Sequence, residues 1–306
     1  MHKLVTTLFI CYIAIFQSFA ESRVSNFIYA KRDTCNLSMD VYSPINIAPN
    51  RPCIIFVFGG GFIMGSKSEK TNVAFCKALS DSGFVVASID YRLGLKGVKK
   101  VGVTNTEPLN KAINMAVEDL YSATNFLVQN AISLNINPKQ IIISGSSAGA
   151  ITILHADHEL SNRTKIATVL SPDFHYAGAI SFAGAILSND GLPKYAIKPA
   201  PTLFFHGTKD KLVTYNKVQV LKKGFFGSSA IAKQFKKQGF PYYIYRYQDY
   251  GHEICALPMT QNLNEICSFI KEYIIKKRKL EIDVRLKDND VDFKQLHSWT
   301  IKDLYK

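Results

Sequence analysis

The chain has 306 residues, of which 47% are hydrophobic, and this is enough to bury one large core within a single domain. Its formal net charge of +13 comes mainly from lysines spread along the sequence, and no segment resembles a nucleic-acid-binding module. We therefore expect no nucleic acid partner and, from charge alone, at most weak attraction to acidic polysaccharide or membrane surfaces.

The first 20 residues have the pattern of a secretory signal peptide. Lys3 precedes an uncharged apolar stretch over residues 4–16, and the Ser-Phe-Ala sequence at 18–20 resembles a small-x-small cleavage site. A membrane anchor is less favoured, because a span needs about 20 apolar residues. We expect residues 1–20 to be removed, the mature chain to be exported to the periplasm or the extracellular space, and no stable membrane span.

A glycine-rich loop follows the first strongly apolar strand. Residues 52–58 predict a buried strand that leads into Gly59-Gly60-Gly61, where backbone without side chains can approach a ligand closely. Backbone amides in such a loop can point at a developing negative charge. We predict that the amides of Gly60 and Gly61 form part of an oxyanion hole.

A Gly-x-Ser-x-Gly sequence at residues 145–149 lies between a predicted strand and a predicted helix. The glycines let the chain turn sharply and let the helix pack close to the strand, which holds the Ser147 hydroxyl up at the sheet edge. A glycine-rich turn without a chemical role is the alternative interpretation of so short a motif. Ser147 is a candidate nucleophile, and the amide of Ala148, at the helix N-terminus, is a third candidate oxyanion donor.

A nucleophilic serine needs a base, and the base needs a third group that orients it. Residues 201–205 predict a buried strand, and the polar turn that follows contains Asp210. Residues 242–247, rich in aromatic and β-branched side chains, predict another strand, and the next turn contains His252. Because all three residues directly follow predicted strands, we predict Asp210 as the acid and His252 as the base of a triad with Ser147.

The predicted elements alternate along the chain, and this pattern favours an α/β fold with a mostly parallel central sheet and helices on both faces. Apolar positions at helical spacing predict helices over residues 114–131 and 259–275. The predicted strands are residues 39–42, 54–58, 85–89, 141–144, 179–182, 203–205 and 242–247.

Few residues have the spacing of metal ligands. His155 and His158, with Asp157 between them, lie on the helix after the serine turn, but no further ligand cluster accompanies them and surface histidines are the favoured interpretation. The cysteines have no metal-binding spacing. We expect no metal and no cofactor.

With these motifs in place, residues 38–273 resemble the α/β-hydrolase superfamily. The similarity is to the carboxylesterase branch with an HGGGF-like oxyanion loop, which includes hormone-sensitive-lipase-like and feruloyl or acetyl-xylan esterase-like enzymes. Asp90-Tyr91-Arg92 resembles the DYR motif of that branch, and residues 116–149 resemble its helix-strand-elbow block. Phe58 departs from the pattern, because it stands where the family has a histidine that holds the glycine loop. We expect packing to brace the loop instead.

The resemblance implies an exported serine carboxylesterase that forms an acyl-enzyme on Ser147, with small-molecule or glycan-linked esters such as acetyl or feruloyl esters on polysaccharide as substrates. A short-chain lipase or a serine peptidase is one alternative, because the same triad serves all three. A catalytically silent binding protein on this fold is another. We expect activity to rise with pH near the ordinary histidine pKa of about 6.5.

The expected organisation is a signal peptide at 1–20, a catalytic α/β-hydrolase domain at 21–279 and a charged C-terminal tail at 280–306. The tail begins where the last predicted helix of the core ends. Its charge is the reason for placing it outside the domain.

Overall fold

The computed structural model describes residues 22–33, 35–45, 48–98 and 105–291. The predicted signal peptide at 1–20 lies outside the described residues.

Strands and helices alternate through most of the described chain. The strands are β1 (Arg23–Arg32), β2 (Cys35–Ser43), β3 (Arg51–Val57), β4 (Val85–Ile89), β5 (Ile136–Ser146), β6 (Gly178–Phe182), β7 (Ala185–Ser188), β8 (Thr202–Gly207), β9 (Lys217–Val220), β10 (Lys223–Gly227), β11 (Tyr242–Tyr247) and β12 (Glu281–Leu286). The helices are α1 (Lys70–Asp81), α2 (Glu107–Gln129), α3 (Ala148–Ser161), α4 (Ser228–Gln238), α5 (Pro258–Gln261) and α6 (Leu263–Phe269), and α6 continues into a π-helical segment, Ile270–Ile275.

A nine-stranded sheet forms the centre of the described chain, in the order β1-β2-β4-β3-β5-β6-β8-β11-β12. β1 pairs antiparallel with β2, and β2 pairs antiparallel with β4. From β4 to β12 all neighbours are parallel. The mostly parallel sheet confirms the fold class predicted from the sequence, and each of the seven predicted strands overlaps a strand of this sheet.

The core lies around the central strands, which are buried on both faces. Residues 53–57 of β3 and all of β4 are buried, as the continuous apolar runs of their sequences require. Because parallel strands end at the same edge, the loops after β3, β5, β8 and β11 meet there. This edge carries the four loops in which the candidate site residues lie.

A second, three-stranded sheet lies in the chain between β6 and α4, in the order β7-β10-β9. β10 pairs antiparallel with both of its neighbours. The sequence analysis did not predict these strands or β1.

The charged segment after residue 279 is not wholly a tail, and the predicted domain boundary is corrected here. β12 extends the main sheet in parallel register with β11, from the pair Tyr242 and Glu281 to the pair Tyr247 and Leu286. Arg246, which is largely buried, pairs with Asp283 through contacts of 2.6 and 2.9 Å. The charged residues at 281–286 therefore form the exposed face of an edge strand. Residues 292–306 of the predicted tail lie outside the described residues.

No helix among the described residues is long and apolar enough to cross a membrane.

The pairing of Arg246 with Asp283 predicts that β12 contributes to stability. Replacing Asp283 by Ala leaves a largely buried guanidinium without its carboxylate, and we expect the free energy of unfolding to fall by about 1–2 kcal/mol, the exposure of Asp283 limiting the loss. Urea titration measures this, with Asp173→Ala, at an exposed carboxylate, as the control. Equal effects of the two substitutions would contradict a structural role for β12.

Candidate active site

Ser147 lies at the sharp turn between β5 and α3. Its backbone φ of 50° and ψ of −113° are uncommon for a residue with a side chain. Two glycines permit the turn: a Cβ at Gly145 would lie 2.4 Å from the carbonyl carbon of Gly149, and a Cβ at Gly149 would lie 2.0 Å from the carbonyl oxygen of Val57. A hydrogen bond of 2.9 Å from the Ser147 amide to the Phe182 carbonyl holds the turn against β6. The serine is thus fixed in place before any ligand binds.

The structure brings together the three side chains that the sequence analysis predicted as a triad. Ser147 Oγ lies 2.8 Å from His252 Nε2. His252 Nδ1 lies 2.8 Å from Asp210 Oδ2. Both distances are short enough for good hydrogen bonds, so a proton on Ser147 Oγ has a direct path to the imidazole.

Asp210 is a buried carboxylate that is held by several donors. Its Oδ1 accepts the backbone N–H groups of Leu212 and Val213, each at 2.9 Å. Burial alone would raise its pKa, but hydrogen bonds to His206 and His252 outweigh burial and hold the pKa well below its usual range. Asp210 therefore stays ionised across the physiological range.

The ionised carboxylate sets the protonation of His252. Burial disfavours the imidazolium, but the hydrogen bond to Asp210 favours it more strongly, and the pKa of His252 lies above its ordinary value. The pH at which His252 becomes a free base therefore lies above the value of about 6.5 that we took from unperturbed histidine.

His206 is a second partner of Asp210 that the sequence analysis did not assign to the site. Its Nε2 lies 3.0 Å from the Val213 carbonyl and 3.3 Å from Asp210 Oδ2, and its Nδ1 lies 2.8 Å from Ser228 Oγ. Because both oxygens that face Nε2 are acceptors, this nitrogen donates toward them, and Nδ1 pairs with the Ser228 hydroxyl. In the sequence, the spacing of four residues from His206 to Asp210 across a tight turn is the feature that could have indicated this contact.

The glycine loop lies directly beside the nucleophile. A Cβ at Gly59 would lie 3.2 Å from the Cβ of Ser147, so a larger residue there would push against the serine. Gly60 and Gly61 both have positive φ, and the Gly60 carbonyl accepts hydrogen bonds from the amides of Ile63 and Met64. Within the described residues, no backbone carbonyl accepts a hydrogen bond from the amide of Gly60 or Gly61. These two amides and that of Ala148, the first residue of α3, are thus candidate donors to an oxyanion.

Aromatic packing around Tyr91 braces this loop, as expected from Phe58. The buried Phe58 ring lies 4.6 Å from the Tyr91 ring, and Phe62 contacts the same ring edge-on at 6.3 Å. Tyr91 Oη donates to the Phe58 carbonyl at 3.0 Å, and the Leu95 amide donates to the Phe62 carbonyl at 2.9 Å. Packing and backbone hydrogen bonds therefore hold the loop without the family's histidine.

Tyr91 is in turn positioned by a buried carboxylate on α2. Asp119 is fully buried and accepts hydrogen bonds from Arg92 and from Arg32 of β1, each with a contact of 2.9 Å. The Arg92 amide also donates to Asp119 at 2.9 Å. Removing this carboxylate would leave two guanidinium groups without their shared partner. The Asp-Tyr-Arg segment is thus tied to α2 and β1.

His155, one of the two histidines on α3, has a different role from the one expected. His155 is buried, not on the surface, and its Nε2 accepts the backbone N–H of Leu187 at 3.0 Å. Asp157 accepts the backbone N–H of Ala200 at 3.0 Å. Both side chains therefore hold the segment between β6 and β8 against α3. No group of three potential metal ligands occurs among the residues that the structure describes.

One protein-family model matches part of this chain. Residues 39–185, slightly less than half of the chain, match the family model described as BD-FAE.

Curated proteins match over limited lengths. Gut esterase 1 of Caenorhabditis elegans is 30% identical over 117 residues, which cover 38% of this chain and 20% of that protein. Carboxylesterase 1C of Rattus norvegicus is 29% identical over 160 residues, covering 50% of this chain and 25% of that protein. The bifunctional acetylxylan esterase/xylanase XynS20E of Neocallimastix patriciarum is 24% identical over 197 residues, which cover 64% of this chain and 25% of that protein. The chain thus spans a quarter or less of the length of these relatives.

A solved structure matches over most of its length. The native thermophilic esterase Est2 of Thermogutta terrifontis superposes with a TM-score of 0.60 at 22% identity, covering 86% of this chain and 95% of that one. The structure of the same protein with butyrate bound gives a TM-score of 0.60 and covers 87% of this chain and 98% of that one. The fold is that of the α/β-hydrolases, and the predicted resemblance to esterases is confirmed.

The coupling of His252 to Asp210 predicts the pH dependence of Ser147 reactivity. We expect the rate at which a phosphonate reagent labels Ser147 to rise with pH, with its midpoint above about 6.5, because the carboxylate stabilises the imidazolium. In Asp210→Asn that stabilisation is lost, so the midpoint moves to lower pH and the maximal rate falls about 10³- to 10⁴-fold. Asp249→Asn, which alters a partly exposed carboxylate at the same sheet edge, is the control and leaves the midpoint in place. A midpoint that does not move in Asp210→Asn would contradict this coupling.

The brace on the glycine loop predicts a selective loss in Tyr91→Phe. Removing Tyr91 Oη frees the Phe58 carbonyl, and we expect the phosphonate labelling rate to fall about threefold to tenfold. Tyr273→Phe removes a comparable bond to the Tyr242 carbonyl, 3.1 Å long and remote in sequence from the loop. Both variants lose about 1 kcal/mol of unfolding free energy, but only Tyr91→Phe slows labelling. Equal labelling rates in the two variants would exclude the brace.

Proposed function

We propose that this chain, an α/β-hydrolase by fold with a resemblance to carboxylesterases, is a serine carboxylesterase. The observation that carries the proposal is the continuous chain of hydrogen bonds from Ser147 through His252 to Asp210, with 2.8 Å at each link. A base within reach of a hydroxyl, and a carboxylate that orients the base, are what nucleophilic catalysis by serine requires.

Acylation begins at Ser147 Oγ. His252 Nε2 takes the hydroxyl proton as Oγ attacks the carbonyl carbon of the ester, and the carbonyl oxygen becomes an oxyanion. His252 then gives this proton to the alcohol oxygen, the bond between that oxygen and the carbonyl carbon breaks, and the acyl group remains on Ser147. Asp210 stays ionised throughout and stabilises the imidazolium that forms between the two transfers.

Deacylation repeats these transfers with water. His252 takes a proton from water as the water oxygen attacks the acyl-enzyme carbonyl carbon, and it returns the proton to Ser147 Oγ when the carboxylic acid leaves. In both halves the amides of Gly60, Gly61 and Ala148 donate to the oxyanion. Each such donor contributes about 3 kcal/mol to the transition state.

For the substrate we propose a carboxylic ester, with acetyl or feruloyl groups on polysaccharide as the natural form. Support comes from the partial relatives, which include a protein named as an acetylxylan esterase, and from the Thermogutta esterase, which has been solved with butyrate bound. Export remains a proposal that rests on the apolar N-terminal sequence.

Two other functions use the same fold. A short-chain lipase or a serine peptidase would use the same triad. A peptidase differs in its leaving group, which is an amine, whereas a lipase also cleaves esters and differs in taking glycerides. A silent binding protein would retain the fold without turnover, and the departure at Phe58 is the feature that motivates it.

Hydrolysis of a nitrophenyl ester series from acetyl to octanoyl separates these functions. We expect turnover that is highest for the short acyl groups and that disappears in Ser147→Ala. Nitroanilides with matched acyl groups test for a peptidase, and acetylated xylan and methyl ferulate test the proposed natural groups. Faster cleavage of emulsified tributyrin than of the soluble esters would favour a short-chain lipase, faster cleavage of anilides would favour a peptidase, and no turnover of any ester would favour the binding protein.

A further inference from the structure

The hairpin formed by β9 and β10 exposes a large apolar side chain at its tip. Val220 pairs with Lys223, so the turn between the strands consists of Leu221 and Lys222 alone. Leu221 is 93% exposed and has a φ of 55°, a conformation that leucine rarely adopts. Leu221 therefore has both an apolar side chain exposed to water and a backbone conformation that is unfavourable for leucine.

Backbone hydrogen bonds fix the conformation of this turn. The carbonyl of Leu221 accepts a hydrogen bond of 2.7 Å from Gln219 Nε2, and the carbonyl of Lys222 accepts one of 2.7 Å from the Gly191 amide. The turn is thus tied to its own strand and to the loop after β7. Exposure of Leu221 is a defined feature of the folded chain.

The apolar surface continues from the tip along one face of β9. Val218 and Val220, two residues apart, lie on the same face and are 56% and 66% exposed. On β10 and β7 the paired residues Phe226 and Ile186 are buried, whereas all four residues of β9 are exposed. The small sheet therefore packs on the protein through β10 and β7 and exposes the aliphatic side chains of β9.

Positive charge surrounds these aliphatic side chains. Between residues 211 and 237 the sequence has seven lysines and no aspartate or glutamate. All seven are exposed, and they are Lys211, Lys217, Lys222, Lys223, Lys233, Lys236 and Lys237. The segment comprises the hairpin and α4, which follows β10 directly. Three of these lysines, Lys217, Lys222 and Lys223, lie on the hairpin itself beside its exposed aliphatic side chains.

We propose that the three hairpin lysines and the exposed residues Val218, Val220 and Leu221 bind the surface of an anionic lipid bilayer. Lysines attract anionic headgroups, and an aliphatic tip gains free energy by entering the boundary between headgroups and acyl chains. A soluble polyanion such as nucleic acid or an acidic glycan explains the lysines but leaves the exposed aliphatic side chains without a role. This surface acts independently of the triad, so the proposal stands apart from the proposed esterase activity.

Co-flotation of the whole chain with lipid vesicles tests this surface. We expect binding to vesicles of phosphatidylcholine with phosphatidylserine, little binding to phosphatidylcholine alone, and weaker binding at high salt. Lys222→Glu with Lys223→Glu should weaken binding by about tenfold or more. Leu221→Ser should weaken it by about tenfold, because the tip no longer enters the apolar boundary.

Matched variants control for charge and hydrophobicity elsewhere. Ile132→Ser removes another large apolar side chain, which is 95% exposed, and Lys31→Glu with Lys139→Glu reverses two exposed lysines away from the hairpin. All proteins share one N-terminus, so the apolar residues 4–16 contribute equally. Each variant should keep wild-type hydrolysis of soluble nitrophenyl acetate, so loss of flotation with that rate retained separates this proposal from the proposed esterase activity.

Several results would overturn the proposal. These are no flotation of the wild type, equal weakening by the hairpin variants and their controls, or loss of binding in the lysine variant without any effect of Leu221→Ser. The last result, together with binding to soluble heparin, would assign the surface to polyanions. A wild-type dimer in light scattering that Leu221→Ser converts to a monomer would assign the surface to contact between copies of this chain.

Discussion

A buried, ionised carboxylate at Asp210 is the constraint around which the candidate site is arranged. A carboxylate that leaves water needs hydrogen bonds to its charged form, and here two backbone amides, His206 and His252 surround it. The same contacts fix the orientation of His252, raise its pKa and aim Nε2 at Ser147. Stability of the turn after β8 and basicity of the imidazole therefore have one physical origin.

The site also requires that backbone segments around Ser147 approach each other closely. α3 can begin beside β3 only because Gly149 has no side chain, and the absence of a side chain at Gly59 lets the glycine loop lie close to Ser147 without crowding it. Rigidity then comes from neighbours: Tyr91 holds the loop, and the Asp119 carboxylate with its two arginines holds the Asp-Tyr-Arg segment. Phe58 fits this arrangement because its ring packs on Tyr91.

The sequence was sufficient for the features that depend on local pattern. Buried parallel strands are continuous apolar runs, so β3, β4, β5, β8 and β11 could be found, and with them the turns that contain the three triad residues. Features that depend on contacts between distant segments could not be found in this way. The contact of His206 with Asp210 requires the geometry of the turn, and burial of His155 requires the segment from β7 to lie on α3.

The prediction that β12 belongs to a tail outside the domain was wrong. Its residues alternate between exposed charged and partly buried apolar side chains, a period of two that is typical of an edge strand. The charge of the segment outweighed this alternation in the sequence analysis. β9 shows the opposite problem, because all four of its residues are exposed and its apolar residues therefore do not mark a core.

Trapping the acyl-enzyme is the most direct test of the central claim, that Ser147 is the nucleophile of a triad with His252 and Asp210. Acid quenching of the enzyme during turnover of nitrophenyl acetate, followed by peptide mass spectrometry, locates the acetyl group. We expect one acetyl group on the peptide that contains Ser147, and none on that peptide in Ser147→Ala. An acetyl group on another residue of an active enzyme, or undiminished turnover in Ser147→Ala, would contradict the assignment of Ser147 as the nucleophile.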